Sequence, residues 1–133
     1  MGINTYILDT HVFLWWRFND PKLSYSARSL IKDKRNDLLL SAASAREIAT
    51  KHRIGKLPGA DQVVTEFVTY LQRSRITPLD ITIEDSLLAG TMVHEHRDPF
   101  DRMIIAQGKI RDLPIVTNDP VCEQPPFGVK VIF

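Results

Sequence analysis

The segment TYILDTHVFLWWR, residues 5–17, sets a run of bulky and β-branched residues against an acid, Asp9, and then opens an apolar stretch of helical period. The first part reads as a strand over 5–9 and the second as a helix over 11–17. The same alternation runs on through the chain. Strands are predicted at TYILD (5–9), DLLLS (37–41), ITPLD (76–80), PIVTN (114–118) and VKVIF (129–133), with helices over 11–17, 25–35, 42–54, 61–73, 83–93 and 99–111. Short apolar strands alternating with longer helices are the grammar of a parallel sheet covered on both faces. Pro78 cannot donate a ladder hydrogen bond, so the third strand is expected at an edge or shortened; the last strand suits an edge equally well. No internal repeat, low-complexity tract or linker interrupts the pattern, and CEQPPFG (122–128) reads as a local turn region, so residues 1–133 are taken as one domain.

Bulk properties exclude several classes. With 133 residues and 44% hydrophobic content, the chain can bury about two-thirds of its unfolded surface. Seventeen Lys and Arg stand against sixteen Asp and Glu, a net charge of +1, so any nucleic-acid footprint must be local. The single cysteine, Cys122, has no internal disulfide partner, and the start of the chain lacks the pattern of a secretory signal. No apolar run approaches the roughly 20 residues that span a bilayer. A cytoplasmic protein that does not enter the membrane is expected.

In an open parallel α/β sheet, ligands bind outside the carboxyl ends of the strands, where the following helices begin. Asp9 ends the first strand and Asp119 follows the fourth; Glu47 lies in the early turns of the third helix, and Asp101 in the first turn of the helix before the fourth strand. Four carboxylates far apart in sequence are thus steered to one rim. Each also has a local reading. Ser44-x-x-Glu47 matches a capping box. Asp98-Pro99 matches an N-cap followed by proline at the first helical position, and Asp9 and Asp119-Pro120 match turn residues.

Burial separates the two kinds of reading. In RDPFDRMIIAQ, residues 97–107, helical spacing puts Asp101 in line with Ile104 and Ile105, on the face that should meet the core. A buried carboxylate either takes up a proton or finds a cation, and several on one rim repel one another. A divalent ion relieves that repulsion, and an all-oxygen donor set points to Mg²⁺ or Mn²⁺ rather than zinc.

YILDTHVFLWW at the start, SAASAREIATKHRIGKL in the middle, then HRDPFDRMIIAQ and IVTNDP resemble, in order and separation, the PIN-domain family and more narrowly the VapC-type toxin ribonucleases of type II toxin–antitoxin systems. The resemblance covers essentially the whole chain. It implies a three-layer α/β/α sandwich with a central, mostly parallel five-stranded sheet, and a Mg²⁺- or Mn²⁺-dependent endoribonuclease. It assigns the catalytic and metal-holding acids to Asp9, Glu47, Asp101 and Asp119; Asp98 is read first as a helix cap and second as a contact near the metal, and Thr10 as a hydroxyl that orients the site or simply caps the helix after it. It also implies a cognate VapB-like antitoxin, a homodimer, and an RNA substrate, with transfer RNA ahead of ribosomal and messenger RNA. Two departures stand out: Arg46 occupies the place of a tryptophan before the helix acid, and Gly108 that of an alanine.

Cations near the acids answer the repulsion between an acidic pocket and a phosphate backbone. Arg46, Lys51, His52, Arg53 and Lys56 lie close to Glu47, and Arg97 and Arg102 flank the other acids. Each is alternatively part of a solvated helix face. His11, His52, His94 and His96 are weak acid–base candidates, none having a visible partner in the sequence. VFLWWRF (12–18) is too apolar for a fully exposed helix: Trp15 is read as core, and Trp16 as core or partner contact. Two other functions compete. A phosphatase-type hydrolase with Asp9 as nucleophile would want an Asp where His11 stands, and a PIN-fold module that binds RNA or antitoxin without cutting would not need all four acids.

Overall fold

The computed structural model describes residues 4–95 and 98–133; His96 and Arg97, two of the candidates above, lie outside the described residues. Five strands, β1 (Thr5–Leu8), β2 (Asp37–Ser41), β3 (Ile76–Leu79), β4 (Ile115–Val116) and β5 (Val131–Ile132), form one sheet in the order β3-β2-β1-β4-β5. Every pairing is parallel, so the sheet is wholly rather than mostly parallel. β3 and β5 occupy the edges, as Pro78 and the short terminal run require.

Alternation along the strands splits the core into two layers. Leu8, Leu38, Leu40 and Ile76 point to one face and meet α1 (Thr10–Arg17), α2 (Tyr25–Lys32) and the helices α4 (Asp61–Thr65) and α5 (Phe67–Ser74). Ile7, Leu39 and Ile115 point to the other and meet α6 (Ile83–Thr91) and α7 (Pro99–Arg111). Helix α3 (Ala42–Arg53) straddles the sheet, with Ile48 in the first layer and Ala43 in the second. The result is the expected α/β/α sandwich. Trp15 and Trp16 are both half-buried against the first layer.

Local chemistry corrects four expectations. The helix expected over 61–73 is broken at Glu66 (φ −110°, ψ 19°), where Thr65 turns its hydroxyl back on the Asp61 carbonyl at 3.0 Å. The fourth and fifth strands are two residues each rather than five, although single bonds such as Thr117 N–H to Ile132 O at 3.0 Å extend the pairing. Helix α2 stops at Lys32 because Asp33 leaves the helical region (ψ 111°). Ser44 is not a cap: Ser41 takes that place by accepting the Ala43 N–H at 3.0 Å, and Ser44 is the third residue of α3. The capping-box reading of Glu47 therefore fails.

Candidate active site

Each principal acid is held by a different element on the carboxyl edge of the sheet. Asp9 is the residue between β1 and α1, and β1 is the central strand. Glu47 is in the second turn of α3, 1% exposed, and Asp101 is in the first turn of α7. Asp119 opens the single 3-10 turn Pro120–Glu123 after β4, accepting the Val121 N–H at 3.0 Å, so its turn role is real as well. Asp98 caps α7, its carboxylate accepting from Phe100 N–H at 2.9 Å and Asp101 N–H at 3.2 Å. That cap faces Asp101 inward, while Ile104 (2% exposed) and Ile105 (1%) anchor the helix below it.

Electrostatics shows that the acids converge. Burial, followed by the negative charges of Asp98, Asp9, Glu47 and Asp119, pushes the Asp101 carboxyl up to about 7. Asp9 is also raised, chiefly by burial and in small part by Glu47, against the lowering pull of His11 and a Thr117 hydroxyl 3.1 Å from its Oδ2. A pocket of about 350 Å³ opens here, with Asp9, His11, Asp101, Thr117, Asn118 and Asp119 on its polar side and Ile104 and Ile105 at its floor. Glu47 lies behind this rim.

Glu47 carries the clearest sign of an unfilled role. Its Oε2 accepts from Lys51 Nζ one turn on, whereas its Oε1 is buried with no hydrogen-bond partner. A buried carboxylate oxygen left bare costs about 1–3 kcal/mol or more. All four acids offer hard oxygen donors, the set that suits Mg²⁺ or Mn²⁺. Among the described residues, no three side chains already stand as a closed metal cage. The acids fit a divalent ion in donor chemistry, in their mutual repulsion at Asp101 and in the bare Glu47 Oε1.

The remaining candidates separate. Lys51 is drawn to the acids: burial disfavours its charge, but Glu47, then Asp98 and Asp101, outweigh that and raise its pKa. Thr10 is 1% exposed and shares a 2.8 Å hydrogen bond with the Ser44 hydroxyl, which ties the start of α1 to α3 instead of capping a helix by itself. Arg102 turns away, its guanidinium donating to the carbonyls of Ala89 (2.9 Å) and Met92 at the end of α6. These contacts brace the end of α6. Arg46, Arg53 and Lys56 are exposed, and Arg46 flanks an apolar pocket with Ile81, Phe100 and Met103. His52 Nε2 meets Asp61 Oδ1 at 3.2 Å, and the His94 ring packs on Phe127 with centroids 4.3 Å apart. His11, the one histidine on the pocket among the described residues, has Nδ1 3.9 Å from Asp9 Oδ2. Sequence reasoning missed Thr117 and the true role of Ser44; the threonine two residues before Asp119 was the available signal.

Fold and acid rim together define an α/β protein with a carboxylate pocket at the strand ends, and comparison with known proteins names the family. The PIN domain profile matches residues 6–127, and the chain belongs to the PIN domain family. It is 38% identical over 65 residues to Ribonuclease VapC16 of Mycobacterium tuberculosis, a match spanning 46% of this chain and 46% of that relative. The fold is similar to that in DNA-bound VapBC from Salmonella typhimurium (TM-score 0.71, 20% identity, 99% of this chain and 98% of that one). It is also similar to that in VapBC2 from Rickettsia felis bound to a promoter DNA fragment (TM-score 0.68, 17% identity, 96% and 97%).

Proposed function

We propose that the chain is a divalent-metal-dependent endoribonuclease and the toxin of a toxin–antitoxin pair. The observation that carries this is the gathering of Asp9, Glu47 and Asp119 around Asp101, whose carboxyl rises to about 7 under their charge. A cluster that repels itself so strongly favours a divalent cation. Asp9, Asp101, Glu47 and Asp119 would hold Mg²⁺ or Mn²⁺, which supplies Lewis acidity toward a phosphodiester and activates water for in-line attack. The protein's share is positional. Asp98 and the two isoleucines set Asp101, Thr117 orients Asp9, and the Thr10–Ser44 bond fixes α1 against the helix that carries Glu47. Lys51, paired with Glu47, would be placed to contact a phosphate oxygen once the acids hold the ion. His11 lines the pocket, where it can protonate the leaving oxygen.

Similarity to the named ribonuclease, and to structures of VapBC complexes, supports the same reading for the partners: a cognate VapB-like antitoxin, a homodimer, and RNA as substrate, with transfer RNA first. Among the described residues no helix is long and apolar enough to cross a membrane, and we place the protein in the cytoplasm. The test is a ribonuclease assay on purified protein with Mg²⁺ or Mn²⁺, beside Asp9→Asn and Asp101→Asn. Cleavage that needs the metal and is lost in both variants is expected. Equal cleavage by the variants would remove the proposed site, and no cleavage of any RNA by the metal-loaded protein would remove the function.

A further inference from the structure

We propose that the chain has a second RNA-binding site, on the opposite edge of the sheet from the acids, which grips the phosphate backbone of a folded RNA. The inference rests on the RNA reading above but uses none of its residues. A pocket of about 390 Å³ opens where β2 and β3 begin, between the ends of α2 and α5. Four cations line it: Lys32, Lys34, Arg73 and Arg75. All four are exposed, and none makes an ion pair with a described residue. The one acid in the lining, Asp33, is taken by Arg35 through two side-chain bonds of 3.1 and 2.9 Å. On a chain of net charge +1, this is a local excess that the bulk composition conceals.

Helix-end electrostatics explains only half of it. Lys32 and Arg73 stand in the last turns of α2 and α5, where a cation complements the carbonyl end of the helix. Lys34 and Arg75 lie beyond those ends. Arg75 occupies the left-handed C-cap of α5 (φ 58°, ψ 35°), a conformation that glycine adopts freely and that a side-chain-bearing residue adopts only under strain. An arginine kept there points to a use for its guanidinium. Trp16, half-buried at the wall, adds an aromatic surface beside the cations, the combination that holds unpaired nucleotides. Since β2 runs five residues, the two sites stand about 15 Å or more apart. A short oligonucleotide in the acid pocket does not reach round the sheet; a folded RNA does. The site therefore selects for substrate size and shape rather than for the bases cut.

The experiment measures binding of fluorescein-labelled bulk transfer RNA by anisotropy across a salt series, in the Asp101→Asn background so that nothing is cut. Replacing Lys32, Lys34, Arg73 and Arg75 together by Glu should weaken Kd by tenfold or more. The log–log salt slope should fall by about 3, as expected for four lost phosphate contacts. In the otherwise unaltered protein the same four changes should leave cleavage of a six-nucleotide RNA unchanged. Lys32→Arg with Lys34→Arg should retain full binding. Arg75→Gly separates function from folding: Tm should rise while transfer RNA binding weakens severalfold. An unchanged Kd and slope, or an equal loss on the hexanucleotide, overturns the proposal. So does polyglutamate competing as well as RNA of equal charge, which would mark a dock for an acidic protein segment. If the four changes weaken RNA binding while the metal-loaded parent protein cuts nothing, this site stands and the ribonuclease reading falls.

Discussion

Helices α6 and α7 hold two acids whose surroundings are opposite. Asp85, fully buried, accepts two bonds from Arg111 (2.8 and 3.0 Å), one from Gln107 (3.3 Å) and one from the Thr82 N–H (3.0 Å). Burial alone would raise its carboxyl, yet these partners bring it down to about 2. Asp101, on the neighbouring helix, faces four other carboxylates and rises to about 7. The acid with no exposed surface is held ionised by its partners, and the other is raised by its like-charged neighbours. Burial by itself therefore does not mark a functional carboxylate; burial among like charges does.

The largest way to break the comparison is to exchange the consequences. Asp85→Ala leaves Arg111 and Gln107 facing an empty buried space and should lower unfolding free energy by about 3 kcal/mol or more, read by urea titration, with activity per folded molecule retained. Asp101→Asn should do the reverse. Turnover falls about 100-fold or more, roughly 2.7 kcal/mol of barrier, while the metal-free Tm holds or rises because a repelling charge is gone.

The pH dependence of metal-free protein sharpens the contrast. Asp85 has a folded value of about 2, below the ordinary 3.8, so its contribution is present above 3.8 and lost as pH falls through 2. Asp101 is raised from 3.8 to about 7, so the folded state holds its proton more tightly and stability falls as pH climbs from about 4 to 7. With chelator present, Tm should be several degrees higher at pH 5 than at pH 8. Asp101→Asn, or added Mn²⁺, should flatten that slope, whereas Asp85 variants should leave it intact. A slope untouched by both Asn and Mn²⁺ would place its origin elsewhere.

The smallest effect expected is at Ser44. Removing its hydroxyl deprives Thr10 of its buried partner and should cost about 1 kcal/mol of stability. Activity should fall more than that loss accounts for, since α1 and α3 carry Asp9 and Glu47 to the same rim. Thr117→Val makes a parallel change on the pocket side of Asp9, where the hydroxyl accepts the Asp119 N–H at 3.2 Å while donating to the carboxylate. A loss of activity without loss of stability there would identify Thr117 as an orienting residue.

Much of the architecture was legible because period-2 and period-3.6 burial are properties of the chain itself. The alternation of Ile7 with Leu8 and of Leu38 with Leu39 foretold two covered faces, and Pro78 foretold an edge. The break at Glu66 was not legible, because Val63, Val64 and Thr65 keep a helical pattern while the Thr65 hydroxyl competes for the backbone. Gly108 stood in the sequence as a mild departure within its helix. In the fold, a Cβ there would lie 3.1 Å from the Leu113 carbonyl and 3.2 Å from Ile115 and Val129, so the glycine lets α7 lie close on β4 and on the segment that leads into β5.

For the site, the sequence alone placed Asp9, Glu47, Asp101 and Asp119 on one rim, since strand ends and helix starts of a parallel sheet share an edge by construction. It also marked Asp98 as a cap, because that role depends on neighbours in the chain. Only the tertiary structure decided which polar residues serve that rim and which serve packing. Arg102, the residue after Asp101, donates to the end of α6; Ser44, seemingly a cap, reaches 34 residues back to Thr10; and Lys51 binds Glu47. The physical reason is range. Capping and periodicity act within a few residues, whereas the charge felt by a buried carboxylate is set by whatever the fold brings within several ångströms, however distant in the chain.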